Sequence, residues 1–175
     1  MIRNWLLPIV VGVIVAAIAW HGTLVATPFV LMSTAMARIG GGAPANQFRF
    51  GNLATADNQP IVRPSPDLVY SSCVFDVSDG PVLIDVPAAP DSYWSISIFD
   101  ARTDVAKVVS VRDNGDKPAR LVLHHKDRNL KMVPGYEMVA LKYDKGIALI
   151  RILLTDPSKY EAIDAIRRKS RCRRG

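Results

Sequence analysis

Tyr93-Trp94-Ser95-Ile96-Ser97-Ile98-Phe99 is the stretch that decides the fold class of this chain. Side chains along a strand point alternately to opposite faces, so Ser95 and Ser97 fall on one side while Trp94, Ile96 and Ile98 fall on the other. Trp94 is therefore expected in a core between sheets.

Comparable short runs lie on both sides of it, at 68–76, 82–86, 106–111, 120–125, 136–143 and 147–154. They are separated by Ser78-Asp-Gly-Pro81, Pro87-Ala-Ala-Pro-Asp91, Asp113-Asn-Gly-Asp116, Val133-Pro-Gly135 and Asp144-Lys-Gly146, all rich in turn-forming residues. Strands at a spacing of roughly 8 to 15 residues, joined by such turns, predict a mainly β fold of β-sandwich or jelly-roll type. The last two runs, separated by Asp144-Lys-Gly146, predict a hairpin. Asp156 followed by Pro157 predicts the start of a short C-terminal helix, with Tyr160, Ile163 and Ile166 as the stripe that docks on a sheet.

The N-terminal end reads differently. No Asp, Glu, Lys or Arg occurs between Arg3 and Arg38. Residues 5–26 alone supply the roughly 20 apolar residues that a helix needs to cross a hydrocarbon core of about 30 Å. Trp5 and Trp20 would lie about 22 Å apart along such a helix, as interfacial aromatic anchors do. Pro28 is expected to end or kink it. Ala17-Ile-Ala19 and Ala35-Met-Ala37 fit the small-x-small pattern of signal peptidase sites, but apolar character continues through Met32. A retained single-pass anchor is expected over a cleaved signal peptide.

Arg3 on the near side and Arg38 on the far side favour an N-terminus inside the cell. Inner-membrane lipid is then the first expected partner, and the remainder of the chain lies in the periplasm. Gly40-Gly-Gly-Ala-Pro-Ala45 is expected to act as a flexible joint. The expected organisation is an anchor at 1–37, a linker at 38–57, a β-sandwich at 58–166 and a basic tail at 167–175.

The chain carries 22 Lys and Arg against 16 Asp and Glu, a net charge of +6. Arg167, Arg168, Lys169, Arg171, Arg173 and Arg174 account for all of that excess. The high pI therefore belongs to one segment and not to a basic face, so nucleic acid is not an expected partner.

Signals for chemistry are sparse. The sequence contains no P-loop, no Gly-rich dinucleotide fingerprint and no Gly-x-Ser-x-Gly elbow. His124 and His125 are neighbours on one strand and so point to opposite faces, which argues against a shared metal. Cys73 and Cys172 are the only cysteines, and a bond between them is compatible with the sequence without being required by it. No metal and no cofactor is expected, and whether the chain is an enzyme stays open. The densest polar cluster is Arg63-Pro-Ser-Pro-Asp-Leu-Val-Tyr-Ser71, where two prolines stiffen the approach to the first strand. Arg63, Asp67 and Tyr70 could rim a ligand pocket, with Arg63 binding carboxylate or phosphate. An Arg63–Asp67 pair pinning the loop is the competing structural reading.

The same cluster carries a family resemblance. Arg63-Pro-Ser-Pro-Asp-x-x-Tyr-Ser71, then Cys73 to Asp76, Gly80-Pro-Val82, Tyr93-Trp-Ser-x-Ser-x-Phe-Asp100 and Thr103-Asp104 together resemble the bacterial "domain of unknown function 1254" family, in its short membrane-anchored form. The resemblance spans roughly residues 20–155, with Val105 where it implies Asn. It implies a β-rich sandwich and association with a second β-domain, and it brings no catalytic residue. The expected role is thus a membrane-tethered periplasmic β-domain that binds a companion protein. The alternative is a periplasmic hydrolase or small-ligand protein using Arg63, Asp67 and Tyr70 together with Asp100 and Asp104.

Overall fold

The computed structural model of the chain describes residues 3–55 and 64–175. A single helix, α1 (Arg3–Gly40), precedes two β-sheets that face each other. The first sheet has the order β1 (Gln47–Phe50), β2 (Leu68–Asp76), β8 (Lys145–Leu153), β4 (Trp94–Asp100) and β5 (Val105–Ser110), all antiparallel. The second has β7 (Glu137–Leu141), β6 (Ala119–His125), β3 (Val82–Val86) and β9 (Arg171–Arg174). A short helical turn, α2 (Val111–Asn114), and a C-terminal helix, α3 (Tyr160–Arg167), complete the domain.

The expected alternation is what builds the core. Trp94, Ile96 and Ile98 from β4 are fully buried, and they meet Val69, Cys73 and Phe75 from β2, Ala148, Ile150 and Ile152 from β8, and Ile84, Leu121 and Leu123 from the second sheet. Gly146 at the start of β8 is dictated by this packing. A Cβ there would overlap the Phe99 carbonyl oxygen and the Phe75 ring.

The chain end is covalently part of the sandwich. Cys73 on β2 and Cys172 on β9 form a disulfide between the two sheets, across a sequence separation of 99 residues. At the opposite side of the sandwich, Lys107 Nζ on β5 lies 2.5 Å from Glu137 Oε1 on β7.

Four expectations need correction. The strands at 136–143 and 147–154 do not form a hairpin, because β7 pairs in parallel with β6 while β8 crosses to the centre of the other sheet between β2 and β4. A three-residue connection serves either purpose; the near-continuous apolar run of β8 suits a strand flanked on both sides. The segment read as a basic tail contains the end of α3 and all of β9, with Cys172 buried on that strand and not in a mobile end. Two of the cations on β9 are matched by carboxylates: Arg174 lies 2.9 Å from Asp79 and Arg173 3.7 Å from Asp85.

The segment read as a linker contains the last turn of α1 and all of β1. Gly41 and Gly42 adopt positive φ and turn the chain, and Asn46 is then clamped on β2. Its amide donates to the Asp76 carbonyl at 3.1 Å and its side-chain oxygen accepts from the Asp76 N–H at 2.8 Å. Lastly, of the two expectations for Pro28, that it ends or kinks the helix, the first does not hold, since α1 runs on to Gly40.

The helix has two parts with different surroundings. Residues 5–27 are exposed throughout. From Pro28 onward one face, with Phe29, Met32, Met36 and Ile39 at helical spacing, is covered by the domain. Phe29 meets Tyr143 edge-on at 5.3 Å between ring centroids, and Gly40 reaches Val74 on β2. The helix therefore lies along the outer face of the first sheet, over β2 and β8.

Candidate functional site

Where α1 ends on the sheet, a cavity of about 220 Å³ opens between the helix, β1 and β2. Arg38 and Ile39 come from the last turn of α1, Arg49 and Phe50 from β1, Tyr70 and Ser72 from β2, and Leu149 from β8. Strand register explains the grouping. Arg49 is paired with Ser72, Ser72 with Leu149, and Tyr70 with Arg151, so these side chains share the outer face of the sheet.

The electrostatics of this face are one-sided. Among the described residues, Arg38, Arg49 and Arg151 form no ion pair with a carboxylate. Arg151 donates from Nη2 to Ser97 Oγ at 3.1 Å, while its Nε is buried without a hydrogen-bond partner. Ser95, its register partner on β4, also has a buried hydroxyl without one. Buried polar groups are normally satisfied, so this row of Tyr70, Arg151 and Ser95 has spare donor capacity.

The five residues expected to form a site are not gathered into one. Arg63 lies outside the described residues. Asp67 is exposed, and its carbonyl accepts from the Leu154 N–H at 2.8 Å. Tyr70 is half-buried on the cavity wall, and its hydroxyl accepts from the Ser65 N–H at 3.0 Å. Asp100 and Asp104 sit at the other end of the strands, since Asp100 is level with Gly146 and Phe75, five residues along β2 from Tyr70. There the Asp100 carboxylate accepts the N–H groups of Arg102 at 2.8 Å and Asp104 at 3.1 Å. It shapes a turn in which Thr103 takes a positive φ. Asp104 is solvent-exposed, 3.9 Å from Arg102.

Among the described residues, His124 contacts the His125 carbonyl, and His125 contacts the Lys142 carbonyl and Asp127. Among the described residues no group of three or more His, Cys, Asp or Glu side chains could hold a metal ion.

One polar residue of consequence escaped the sequence reading. Arg167, counted there as part of a tail, has a fully buried side chain. It donates from Nη1 to the Tyr70 carbonyl at 2.6 Å, from Nη2 to the Gly51 carbonyl at 2.8 Å and from Nε to Asp164 Oδ1 at 2.7 Å. It thereby fixes α3 to β2 and to the segment that forms the cavity floor. The available signal was spacing: Ile163 and Arg167 stand one helical turn apart, so Arg167 belongs to the docking face of α3. Burial alone would raise the Asp164 carboxyl pKa, but the hydrogen bonds and charges of Arg168 and Arg167 outweigh it and hold that pKa below the usual carboxylate value. Asp76 behaves alike, with burial overcome by hydrogen bonds from Ser78 and by Lys145.

Together these features define a class: an antiparallel-rich β-sandwich, stapled between its sheets, that carries a long apolar helix across one outer face. The family model for proteins of unknown function designated DUF1254 matches residues 45–174, and the chain belongs to that family. No curated protein matches the sequence. Among solved structures, the VPA0106 protein of Vibrio parahaemolyticus is similar at a TM-score of 0.68 and 14% identity, over 86% of this chain and 35% of that one. An uncharacterised protein of Burkholderia cenocepacia is similar at a TM-score of 0.50 and 14% identity, over 89% of this chain and 41% of that one. The likeness establishes the fold. It also shows that the chain spans well under half the length of either relative.

Proposed function

We propose that this chain is an extracytoplasmic β-domain, tethered by α1 in the inner membrane, whose task is to bind a companion domain. The observation that carries the reading is a disulfide-stapled sandwich following directly on an unburied apolar helix. The helix is long and apolar enough to cross a membrane, with a mean hydropathy of 2.2 in a window of which none is buried in the domain. Residues 5–27 rise about 34 Å as a helix, close to one hydrocarbon core. Disulfides persist in oxidising compartments such as the periplasm and are rare in the cytosol.

Two observations support a companion, one from the relatives and one from the surface of this domain. In both solved relatives the matched part is less than half of a longer chain, which supports a companion region for this fold. On this chain α1 covers the β2 and β8 half of the outer face, and the β5 half keeps Val105 and Val108 exposed. Those two valines on an edge strand are where the partner would sit. The hydrolase alternative loses support because Asp100 and Asp104 do not approach Tyr70.

The test is purification of the full chain from membranes in mild detergent. One protein in near-stoichiometric amount should accompany it, and Val108→Asp should release that protein while the thermal unfolding of the domain stays unchanged. A monodisperse monomer at native expression would contradict the reading.

A further inference from the structure

We infer that the cavity between α1 and β1 is a binding site for a small organic carboxylate with an apolar body, such as an aromatic or short-chain aliphatic acid. Three features of the cavity define this ligand.

The first is unneutralised charge. Arg38 and Arg49 both line the cavity, and neither meets a carboxylate among the described residues. Every other arginine of the C-terminal segment from Arg167 onward, apart from Arg171, has an acidic partner. Guanidinium groups bind planar carboxylates through paired hydrogen bonds, so two of them at one cavity make an anion the fitting occupant.

The second feature is the wall between the charges. Ile39, Phe50 and Leu149 make most of that surface apolar, which suits a ligand with one ionised end and a greasy body better than an inorganic ion. Tyr70 adds a hydroxyl that accepts from Ser65 and keeps its own hydrogen available to donate. The volume of about 220 Å³ lies below the roughly 300–1,000 Å³ of pockets for drug-sized ligands, which restricts the occupant to a small acid.

The third feature is position. Arg38 stands eleven residues beyond Thr27, where the fully exposed part of α1 ends. That is about 16 Å along the helix axis, too far for the headgroup of a lipid in the adjoining leaflet. A soluble ligand reaches it without leaving the aqueous phase. Because one arginine comes from the helix and the other from the domain, an occupant would also bridge the two.

The experiment uses the full chain in detergent, titrated calorimetrically with benzoate and with hexanoate. Benzyl alcohol serves as the neutral counterpart of benzoate, inorganic phosphate as an anion without an apolar body, and a short-chain phosphatidylglycerol as the lipid comparison. Saturable binding of at least one acid is expected, with at least tenfold weaker binding of the alcohol, of phosphate and of the lipid. Arg49→Gln and Arg38→Gln should each weaken acid binding at least tenfold. Arg38 is exposed on the helix, so its replacement leaves the fold intact even if that of Arg49 does not. Absence of saturable acid binding, equal binding of the alcohol, phosphate or lipid, or an Arg38→Gln variant that is folded and binds as tightly as the original would overturn the assignment.

Discussion

The two ends of this chain invert the usual relation between composition and burial. Residues 5–27 are almost wholly apolar and lie exposed, with Trp5 at 65% and Trp20 at 70% of their full accessibility. The stretch from Arg167 to Arg174 is the most basic in the protein, yet it contains a buried arginine, a disulfide cysteine and a paired strand. The exposed apolar helix is long and apolar enough to cross a bilayer, whereas the arginine-rich segment enters the fold with four of its arginines paired to carboxylates. Composition reports what a segment needs; only neighbours decide how the need is met.

The largest effect is expected from cutting the C-terminal end loose. Cys172→Ala opens a cross-link spanning 99 residues, and chain-entropy arguments put its loss at about 4–5 kcal/mol. Chemical denaturation of the oxidised and variant proteins measures it directly, and a change below about 1 kcal/mol would show that β9 holds without its staple.

Arg167→Met comes next. It removes the buried guanidinium that bridges Asp164 and the carbonyls of Tyr70 and Gly51, leaving Asp164 to Arg168 and the Tyr70 carbonyl to the Gly51 N–H, at about 3–5 kcal/mol. The same denaturation curve reports it, and a neutral result would return Arg167 to the status of a surface charge.

At the other end, Ile14→Lys places a charge mid-helix and should cost about 2.5–3.5 kcal/mol of membrane insertion. Carbonate extraction should then release more of the chain, with domain stability unaltered. If extraction is unchanged, the helix is not held by lipid.

Asp164→Asn has a smaller effect with a diagnostic pH dependence. The folded carboxyl titrates below its unfolded value of about 3.9, so its contribution is full above that pH and is lost as pH falls through the folded value. The variant should lose about 1.5–3 kcal/mol at neutral pH and show a flatter acid limb below pH about 4. Parallel acid limbs for both proteins would contradict the pairing.

Least affected should be Asp104→Ala, within about 0.5 kcal/mol, because its side chain is two-thirds exposed. A large loss there would mean that the β4–β5 turn does more than close a hairpin.

Much of this fold was legible in the sequence because period-two alternation over five or more residues is hard to mistake. The run from Trp94 to Ile98 placed its serines and apolar residues on the faces they occupy. The strands that were missed, β1 and β9, have four residues each at a sheet edge: β1 alternates over Phe48 and Phe50 only, too short a run to read, and β9 is three arginines around one cysteine. The β7–β8 pairing was misjudged because a short turn states proximity in sequence and says nothing about which sheet each strand joins.

The site was less legible still. Tyr70 is among the expected site residues, but Arg38 and Arg49 both belong to the segment read as a linker, and only the register of β1 on β2 and the docking of α1 bring them together. Asp100 and Asp104, grouped with Tyr70 by their motif, are separated from it by the length of a strand.

The central claim, an oxidised domain carried outside the cytoplasm by a membrane helix, is tested most directly by counting free thiols. Membranes would be prepared from cells quenched with an alkylating agent, and the denatured chain would then be treated with a thiol-reactive polymer, with and without prior reduction. The account predicts no free thiol before reduction and two polymer additions after it, at Cys73 and Cys172. Two alkylated thiols in the unreduced membrane protein would contradict it.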